Sequence, residues 1–436
     1  MAETLESHWH YNCEDCVRTF EIAAIERDQV KAMGLEGPEA MQQAMIAPVL
    51  QAMITGVRID LSARSALAEE LLHEMGKRED YFNFVLGHPL NPASPKQMQA
   101  LFYEDLKQRL IIKRSTGNPT LDDDALTTIG QREPLLRPLL KNIAEYRSLG
   151  VFLSTFVNAP LDEDNRMRCS YNICGTETYR LASRKNAFDT GTNLQNIPKG
   201  GAAEPEDLIL PNIRKLFIPD DGYTFFDGDL DRADLQVVVW EAGDDELKEI
   251  LRKGVDVHEE NAKLLGCTRQ EAKMWVHGTN YGGTPRTMAI NCGLTVHSAE
   301  QMQARWFAAH PGILKWHERT KAQLLSRRYV ENKYGYRRFY FDRVEGLLSE
   351  ALAWIPQSTV ALTINRIWLK IYQEIPEAQV LLQVHDSLAG QVPTGRAEEV
   401  ISHIQRAASS IVIPYEDPLV IPFSIKTSTK SWGDCK

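Results

Sequence analysis

The chain has 436 residues, 43% hydrophobic and 25% charged, with 49 Lys+Arg against 59 Asp+Glu and a formal net charge of −10. At roughly 150 residues per domain this predicts about three sub-domains around ample apolar surface, and the acidic balance excludes a globally basic, arm-type nucleic-acid binder. No window approaches the ~18 uninterrupted apolar residues of a membrane span, the N-terminal residues lack the basic and apolar segments of a secretory signal, and seven cysteines at irregular spacing predict reduced thiols in a cytoplasm.

In chain order, a first stretch, aromatic at its front, runs to Gly34-Leu35-Glu36-Gly37-Pro38. Residues 39–54 and 61–86 carry apolar side chains at helical spacing, with Thr55-Gly-Val-Arg-Ile-Asp60 as a punctuated break. Residues 87–124 are turn-rich, and 135–156 return to a helical pattern. From Arg166 the signals are strand-like and basic, through Lys215-Leu-Phe-Ile218 and Tyr223-Thr-Phe-Phe226, each bounded by Pro, Asp or Gly. The remainder is expected to alternate helix and strand, so the class is α/β or α+β.

Two apolar runs end in an aspartate. Tyr223-Thr-Phe-Phe-Asp-Gly-Asp229 leads into a second apolar stretch, and Val380-Leu-Leu-Gln-Val-His-Asp386 reads as one arm of a hairpin with His385-Asp386 at its tip. Two carboxylates at neighbouring strand ends suit paired Mg²⁺, which takes oxygen ligands and phosphate co-ligands, the arrangement of two-metal phosphoryl chemistry. Asp is also a common turn residue after a strand, and spacing does not decide between these readings. Further on, Thr268 and Glu271 form a T-x-x-E capping box that starts a helix at Arg269, ended by Gly282-Gly283 and Pro285. Arg269, Lys273, His277 and Tyr281 recur every four residues, so they share one face over about 18 Å. Two cations near a helix N-terminus suit a polyphosphate, and an imidazole and a phenol can stack on a base or sugar. The alternative is a solvated, mildly basic helix.

Taken in this order, the segments resemble family A DNA polymerases, the bacterial DNA polymerase I type. The stripe from Arg269 to Gly282 looks like that family's fingers-helix motif, and the segments around Asp229 and Asp386 look like its two palm motifs. Thr55 to Asp60, Asn91-Pro-Ala-Ser-Pro-Lys-Gln97 and Glu145-Tyr-Arg-Ser-Leu149 resemble thumb signatures, while Tyr179-Arg-Leu-Ala-Ser183 and Asn193-Leu-Gln-Asn-Ile-Pro198 resemble the entry to the palm. Ile213 to Ile218, His310-Pro-Gly312 and Pro356-Gln-Ser-Thr359 also fit.

The resemblance implies an α+β right hand: a remnant of a 3′→5′ exonuclease domain or linker at 1–38, a helical thumb at 39–165, an antiparallel-sheet palm from 166–254 and 345–436, and helical fingers at 255–344. It implies a primer-dependent DNA polymerase in which Asp229 and Asp386 hold two Mg²⁺, with Mn²⁺ as a substitute, and Arg269 and Lys273 grip the dNTP triphosphate, Lys273 also serving the leaving group. His277, Tyr281 and Asp234 would meet the rest of the nucleotide, and Arg180, Gln357, His385, Asn193 and Gln195 the primer-template, whose minor groove reports correct pairing without being read as sequence.

Four positions depart from the bacterial pattern. His277 stands where Phe or Tyr is usual, Asp234 where a Glu blocks a ribose 2′-hydroxyl, Gln236 where Arg is usual, and Ser387 where Glu follows the metal-binding Asp. His385-Asp386-Ser387 and Gln236 resemble phage-type RNA polymerases, so a ribonucleotide-tolerant or RNA-synthesising enzyme is one alternative, and a catalytically lapsed primer-template binder another. Tyr11-Asn-Cys-Glu-Asp15 matches the Y-xxx-D pattern of a proofreading exonuclease's last motif, with too few residues before it for the rest of that site. This predicts no proofreading by the chain itself, a phage or mobile-element origin, and either a separate exonuclease polypeptide docking on residues 11–20 or other replisome proteins as partners. His8, His10, Cys13 and Cys16 are too compact for the usual zinc spacings. The cation-rich run from Lys321 to Arg343 predicts phosphate contacts beside the fingers.

Overall fold

A computed structural model describes residues 5–113, 115–201, 208–342 and 344–436. The chain opens with helix α1 (Leu5–Met33), none of whose residues is buried, followed by α2 (Glu36–Ala44) and α3 (Ile46–Thr55). Gly56 ends α3 at φ 62°, where a side chain would run into Arg168, and turns the chain into β1 (Val57–Ile59). Asp60 then accepts from the Ala63 amide and so caps α4 (Leu61–Leu86). The turn-rich stretch beyond it contains the short α5 (Pro95–Gln99), capped by Ser94, and one wide helical turn, Ala100–Asp105. Helices α6 (Asp123–Arg132) and α7 (Arg137–Val151) complete this part.

Packing divides the early helices between two cores. Phe82, Leu90, Met98, Phe102, Leu126 and Ile143 form a cluster of their own, and Arg147 holds its loops by donating to the Pro92 carbonyl (2.9 Å) and the Leu121 carbonyl (2.7 Å). Met41, Met45, Val49 and Ala52 of α2 and α3 instead join the large core with Phe225, Phe226 and Trp368. The chain then runs through β2 (Arg166–Met167), β3 (Ser170–Asn172), β4 (Ala182–Arg184), β5 (Phe217–Ile218) and β6 (Tyr223–Leu230). β1 pairs antiparallel with both β2 and β5, stitching the start of α4 to strands far along the chain.

From α8 (Ala233–Ala242) through α9 (Asp245–Arg252), α10 (Val257–Leu265), α11 (Arg269–Asn280), α12 (Pro285–Cys292), α13 (Val296–Ala309) and α14 (Pro311–Arg327) the chain is helical throughout. The expected alternation of helix and strand is therefore wrong for this part. Asp244, Asp256, Thr268, Thr284 and Thr295 each cap the next helix through a side-chain oxygen, so short polar residues punctuate this part as helix starts. A hairpin, β7 (Tyr329–Glu331) and β8 (Arg337–Phe339), precedes the 31-residue α15 (Val344–Glu374), which carries Pro356 inside it. β9 (Gln379–Val384), β10 (Ser387–Pro393), α16 (Ala397–Ser409) and β11 (Phe423–Ser428) follow.

The principal sheet has the order β11-β6-β10-β9 with every pair antiparallel. Phe225, Phe226, Leu382 and Val392 share a core with Ile364, Trp368 and Ile371 of α15 and Val400 and Ile404 of α16. Helices and a separate antiparallel sheet make the class α+β.

Candidate active site

The site begins at the β9–β10 hairpin. Its tip residue His385 sits at φ 59°, a left-handed conformation that a non-glycine side chain adopts only when its surroundings hold it there. The holding groups are visible. Gln383, fully buried, donates to the His385 carbonyl (2.7 Å) and accepts from the Gln195 amide (2.9 Å), and Gln195 in turn accepts from the Ser183 backbone N–H (3.0 Å). Across the sheet Ser387 pairs with Asp229, and the Leu230 N–H donates to the Asp386 carbonyl (3.1 Å). Asp229 and Asp386 thus leave the sheet from adjacent strands.

Loss of hydration, then the charges of Asp386 and Asp227, push the Asp229 carboxyl up to about 6, with Lys199 opposing. Behind the pair lies Arg214, whose guanidinium is 3.9 Å from Asp227 and stacks on Trp432 at 4.0 Å. Burial lowers its pKa while Asp227 and Asp229 hold it up. In sequence Arg214 is one residue of the Ile213 to Ile218 segment; its place under an acidic strand end is visible only in three dimensions.

Opposite the carboxylates stands α11, with both hydrogen bonds of the expected Thr268/Glu271 capping box. Lys273, His277 and Tyr281 line a pocket of about 560 Å³ together with Asp229, Asp386, Asp234 and His258. His277 packs edge-on against Tyr281 with ring centroids 4.6 Å apart. Arg269 does not line this pocket: its guanidinium is turned onto Asp256, the cap of α10, at 2.9 Å. His258, two residues past that cap, has its pKa lowered by burial and by Lys273 and Arg269. It was not singled out from the sequence, although its place in the first turn of a capped helix was the available signal.

Asp234 lies in the first turn of α8, 3.9 Å from Arg180. Its pKa is raised, chiefly by burial, with Arg180 opposing and Asp386 adding to the rise. Asp234 Oδ1 and the Tyr281 hydroxyl are both buried without a hydrogen-bond partner among the described residues. Gln236 donates to the Asp231 carbonyl (2.6 Å) and so serves the turn into α8.

Other expected residues sit outside the pocket walls. Gln357 is half-buried on α15 beside Pro356. The Asn193 Oδ1 accepts from Ser183 and the Gln195 N–H, and Gln195 donates to Gln383 of the hairpin, so the Gln195 side chain supports the hairpin from within. His385 is exposed at the tip, its pKa lowered by partial loss of hydration and by Arg180. In the cationic run, Arg337 bonds Glu331 (2.5 Å) and the Met33 carbonyl (2.8 Å), and Arg338 bonds Glu177 and Glu350. These two arginines of the cation-rich run are thus ion-paired within the protein; Arg343 lies outside the described residues. Among the described residues no group of three or more His, Cys, Asp or Glu converges as a metal cluster, and no helix is long and apolar enough to cross a membrane.

A four-stranded antiparallel sheet that presents two carboxylates from neighbouring strands, facing a helix with a cationic edge, defines the class of right-hand polymerase folds. The family model described as DNA polymerase family A matches residues 62–434, and the chain belongs to that family. Relatives include thermostable DNA polymerase I of Thermus filiformis, 29% identical over 87% of this chain and 46% of the relative, and that of Thermus aquaticus, 27% identical over 92% and 50%. DNA polymerase I of Pseudomonas aeruginosa is 28% identical over 84% of this chain and 41% of its own length. The chain thus spans about half the length of the relatives it matches. A solved structure, the POL domain of Pol1 from M. smegmatis in complex with DNA primer-template and dNTP, superposes with a TM-score of 0.80 at 22% identity, covering 93% of this chain and 72% of that one. At that identity the likeness establishes the fold.

Proposed function

We propose that this chain is a template-directed, primer-dependent DNA polymerase that adds dNTPs to a primer 3′-hydroxyl by two-metal nucleotidyl transfer. One observation carries this reading: Asp229 and Asp386 project from adjacent strands into the same pocket as Lys273, His277 and Tyr281. The relation to a polymerase domain solved with primer-template and dNTP adds support. Residues 39–165 serve as thumb, 166–254 and 345–436 as palm, and 255–344 as fingers.

The residues fit divalent metal. Two hard oxygen donors, with the Asp229 pKa raised first by burial and then by the Asp386 charge, form a pair that a divalent cation relieves, and Mg²⁺ commonly binds one or two carboxylates and completes its shell with water and substrate phosphate. Asp229 and Asp386 would hold it. When bound, such ions lower the pKa of an attacking hydroxyl and neutralise charge on transferring phosphates.

Lys273, exposed on the pocket wall, meets the triphosphate as a point charge and is the candidate proton donor to the departing pyrophosphate. Arg269 reaches the same phosphates by exchanging its Asp256 partner for them. Tyr281 and His277 form the wall against which the base and sugar lie. Arg180, adjacent to Asp234 and His385, and Gln357 on α15 face the primer-template minor groove, while Asn193 and Gln195 support the hairpin that carries Asp386. Tyr11 and Asp15 lie on exposed turns of α1.

A second reading, loose exclusion of ribonucleotides, is favoured by the unpartnered Asp234 Oδ1 and Tyr281 hydroxyl, because Asp234 is one methylene shorter than the glutamate usual at this position. Extension of a primed template with dNTPs or NTPs, with and without primer, tests both. Primer-dependent synthesis from dNTPs is expected, with measurable NTP incorporation. Synthesis from NTPs without primer would make the chain an RNA polymerase, and no synthesis despite DNA binding would make it a lapsed homologue.

A further inference from the structure

Tyr281 ends the stripe along α11 but stands just past the helix itself. The helix closes at Asn280, and the chain turns at once through Gly282, at φ 77°, and Gly283, where a side chain would run into the Gly278 carbonyl. A helix leaves its last carbonyls without intrahelical donors, and two carbonyls of this turn find donors on other helices. His317 of α14 gives its Nε2–H to the Asn280 carbonyl (2.8 Å), and Gln303 of α13 donates to the Gly283 carbonyl (2.8 Å). A carbonyl only accepts, so the His317 proton is fixed on Nε2, and burial lowers the pKa of this ring, with the Asn280 bond opposing. Trp306 lies three residues beyond Gln303 on the same face of α13. Its buried indole N–H donates to Asn280 Oδ1 (3.0 Å).

Three donors from two helices thus hold the backbone immediately before Tyr281 and two residues after it. Gln303, Trp306 and His317 are not on the wall of the pocket that Tyr281 lines. The Tyr281 ring packs on the cluster containing Trp316 and Leu352, and its hydroxyl is buried without a partner among the described residues. The ring therefore takes its place from the backbone that carries it rather than from a polar anchor of its own. Given the reading of this pocket as a dNTP site, we propose that His317, assisted by Trp306 and Gln303, is a positioning residue for Tyr281 and sets from outside the pocket the wall on which an incoming nucleotide is matched to its template. Releasing one donor lets the turn shift, and a displaced wall fits matched and mismatched nucleotides more nearly alike.

Primer extension with single matched and mismatched dNTPs reads the effect. His317→Leu is expected to raise KM for the matched dNTP and to lower the preference for matched over mismatched dNTP, each about tenfold, with kcat changed less. His317→Gln, which keeps an N–H donor, should recover most of both. Gln303→Ala removes a donor on a half-buried residue and should move the same two quantities in the same direction; it decides the matter if His317→Leu does not fold. KM and preference unchanged in the folded variants, or His317→Gln as impaired as His317→Leu, would overturn the proposal, the second because packing rather than the donated bond would then be what counts. Hydrogen exchange at the amides of Tyr281, Gly282 and Gly283, each bonded back into α11, reads the hold on the turn without catalysis and should quicken in His317→Leu ahead of the rest of the chain. If the parent chain extends no primer, the reading of the pocket fails, and exchange alone judges the hold on Tyr281: a local rise supports it and an unchanged rate overturns it.

Discussion

The backbone N–H of Leu230 donates to the carbonyl of Asp386 at 3.1 Å, so the residue after one candidate metal ligand is bonded to the backbone of the other. A hydrogen-bonded rung between β6 and the hairpin tip, rather than side-chain contact, fixes the spacing of the two carboxylates. Substitutions at the carboxylates should therefore remove charge without disturbing the strands.

Asp229→Ala and Asp386→Ala are each expected to lower primer extension by on the order of a thousand-fold or more, with primer-template affinity retained. Single-turnover extension alongside a gel-shift titration checks this. Extension surviving both changes would defeat the assignment of these residues to metal.

Asp229 titrates near 6 in the folded chain against an ordinary value of 3.8, so the native state holds this proton more tightly than the unfolded chain. In metal-free protein the contribution of Asp229 to stability must then fall as pH rises from about 4 to about 6. Asp229→Asn should stabilise the metal-free chain at pH 7.5 by about 1 kcal/mol, less than the full shift implies because the carboxylate faces solvent, and by little at pH 4. Thermal unfolding in chelator at the two pH values measures it. Because metal must displace the proton, the Mg²⁺ concentration for half-maximal extension should fall as pH rises through 6.

Asp234→Glu lengthens the carboxylate by one methylene in the pocket that Asp234 and Tyr281 line. Discrimination worth one methylene is about tenfold to a few hundred-fold, so the ratio of kcat/KM for dNTP over NTP should rise by at least tenfold. An unchanged ratio removes Asp234 from sugar selection.

Gln195→Leu keeps volume but leaves the Gln383 amide oxygen and the Ser183 N–H without the partners they now have. Unmade buried hydrogen bonds cost about 1–3 kcal/mol each, and the loss falls on the support of His385. Extension should drop about tenfold with KM for dNTP changed less than kcat; a change in DNA affinity alone would make Gln195 a groove contact instead.

Gly228→Ala would drive a Cβ to 2.3 Å from the Phe423 ring across the β6–β11 pair. Overpacking of this kind costs about 1–3 kcal/mol, and the strand that must shift carries Asp229. Lowered Tm and lowered extension should appear together.

The residues that carry charge and turn chemistry were legible in one dimension. The Thr268/Glu271 capping box, the four-residue stripe along α11, the hairpin tip at His385-Asp386 and the break at Gly56 all depend on neighbours within a few residues, and the folded chain contains each of them. The short capping residues Asp244, Asp256, Thr284 and Thr295 are equally local, but Asp and Thr serve turns as well as helix starts, so residue type alone does not mark a cap.

Tertiary structure alone decided which of these features meet. Arg269 shares its helical face with Lys273 by periodicity, yet an ion pair with Asp256 turns it from the pocket. Asn193 and Gln195 read as groove contacts but are engaged beneath the hairpin, and Arg214 lies under the acidic strand end. Helices α2 and α3 belong to the large core, whereas α4 and α7 divide their buried residues between it and a cluster of their own. Periodicity specifies the direction of a side chain relative to its own helix; its partner is specified by elements distant in sequence, whose approach depends on the packing of the whole chain.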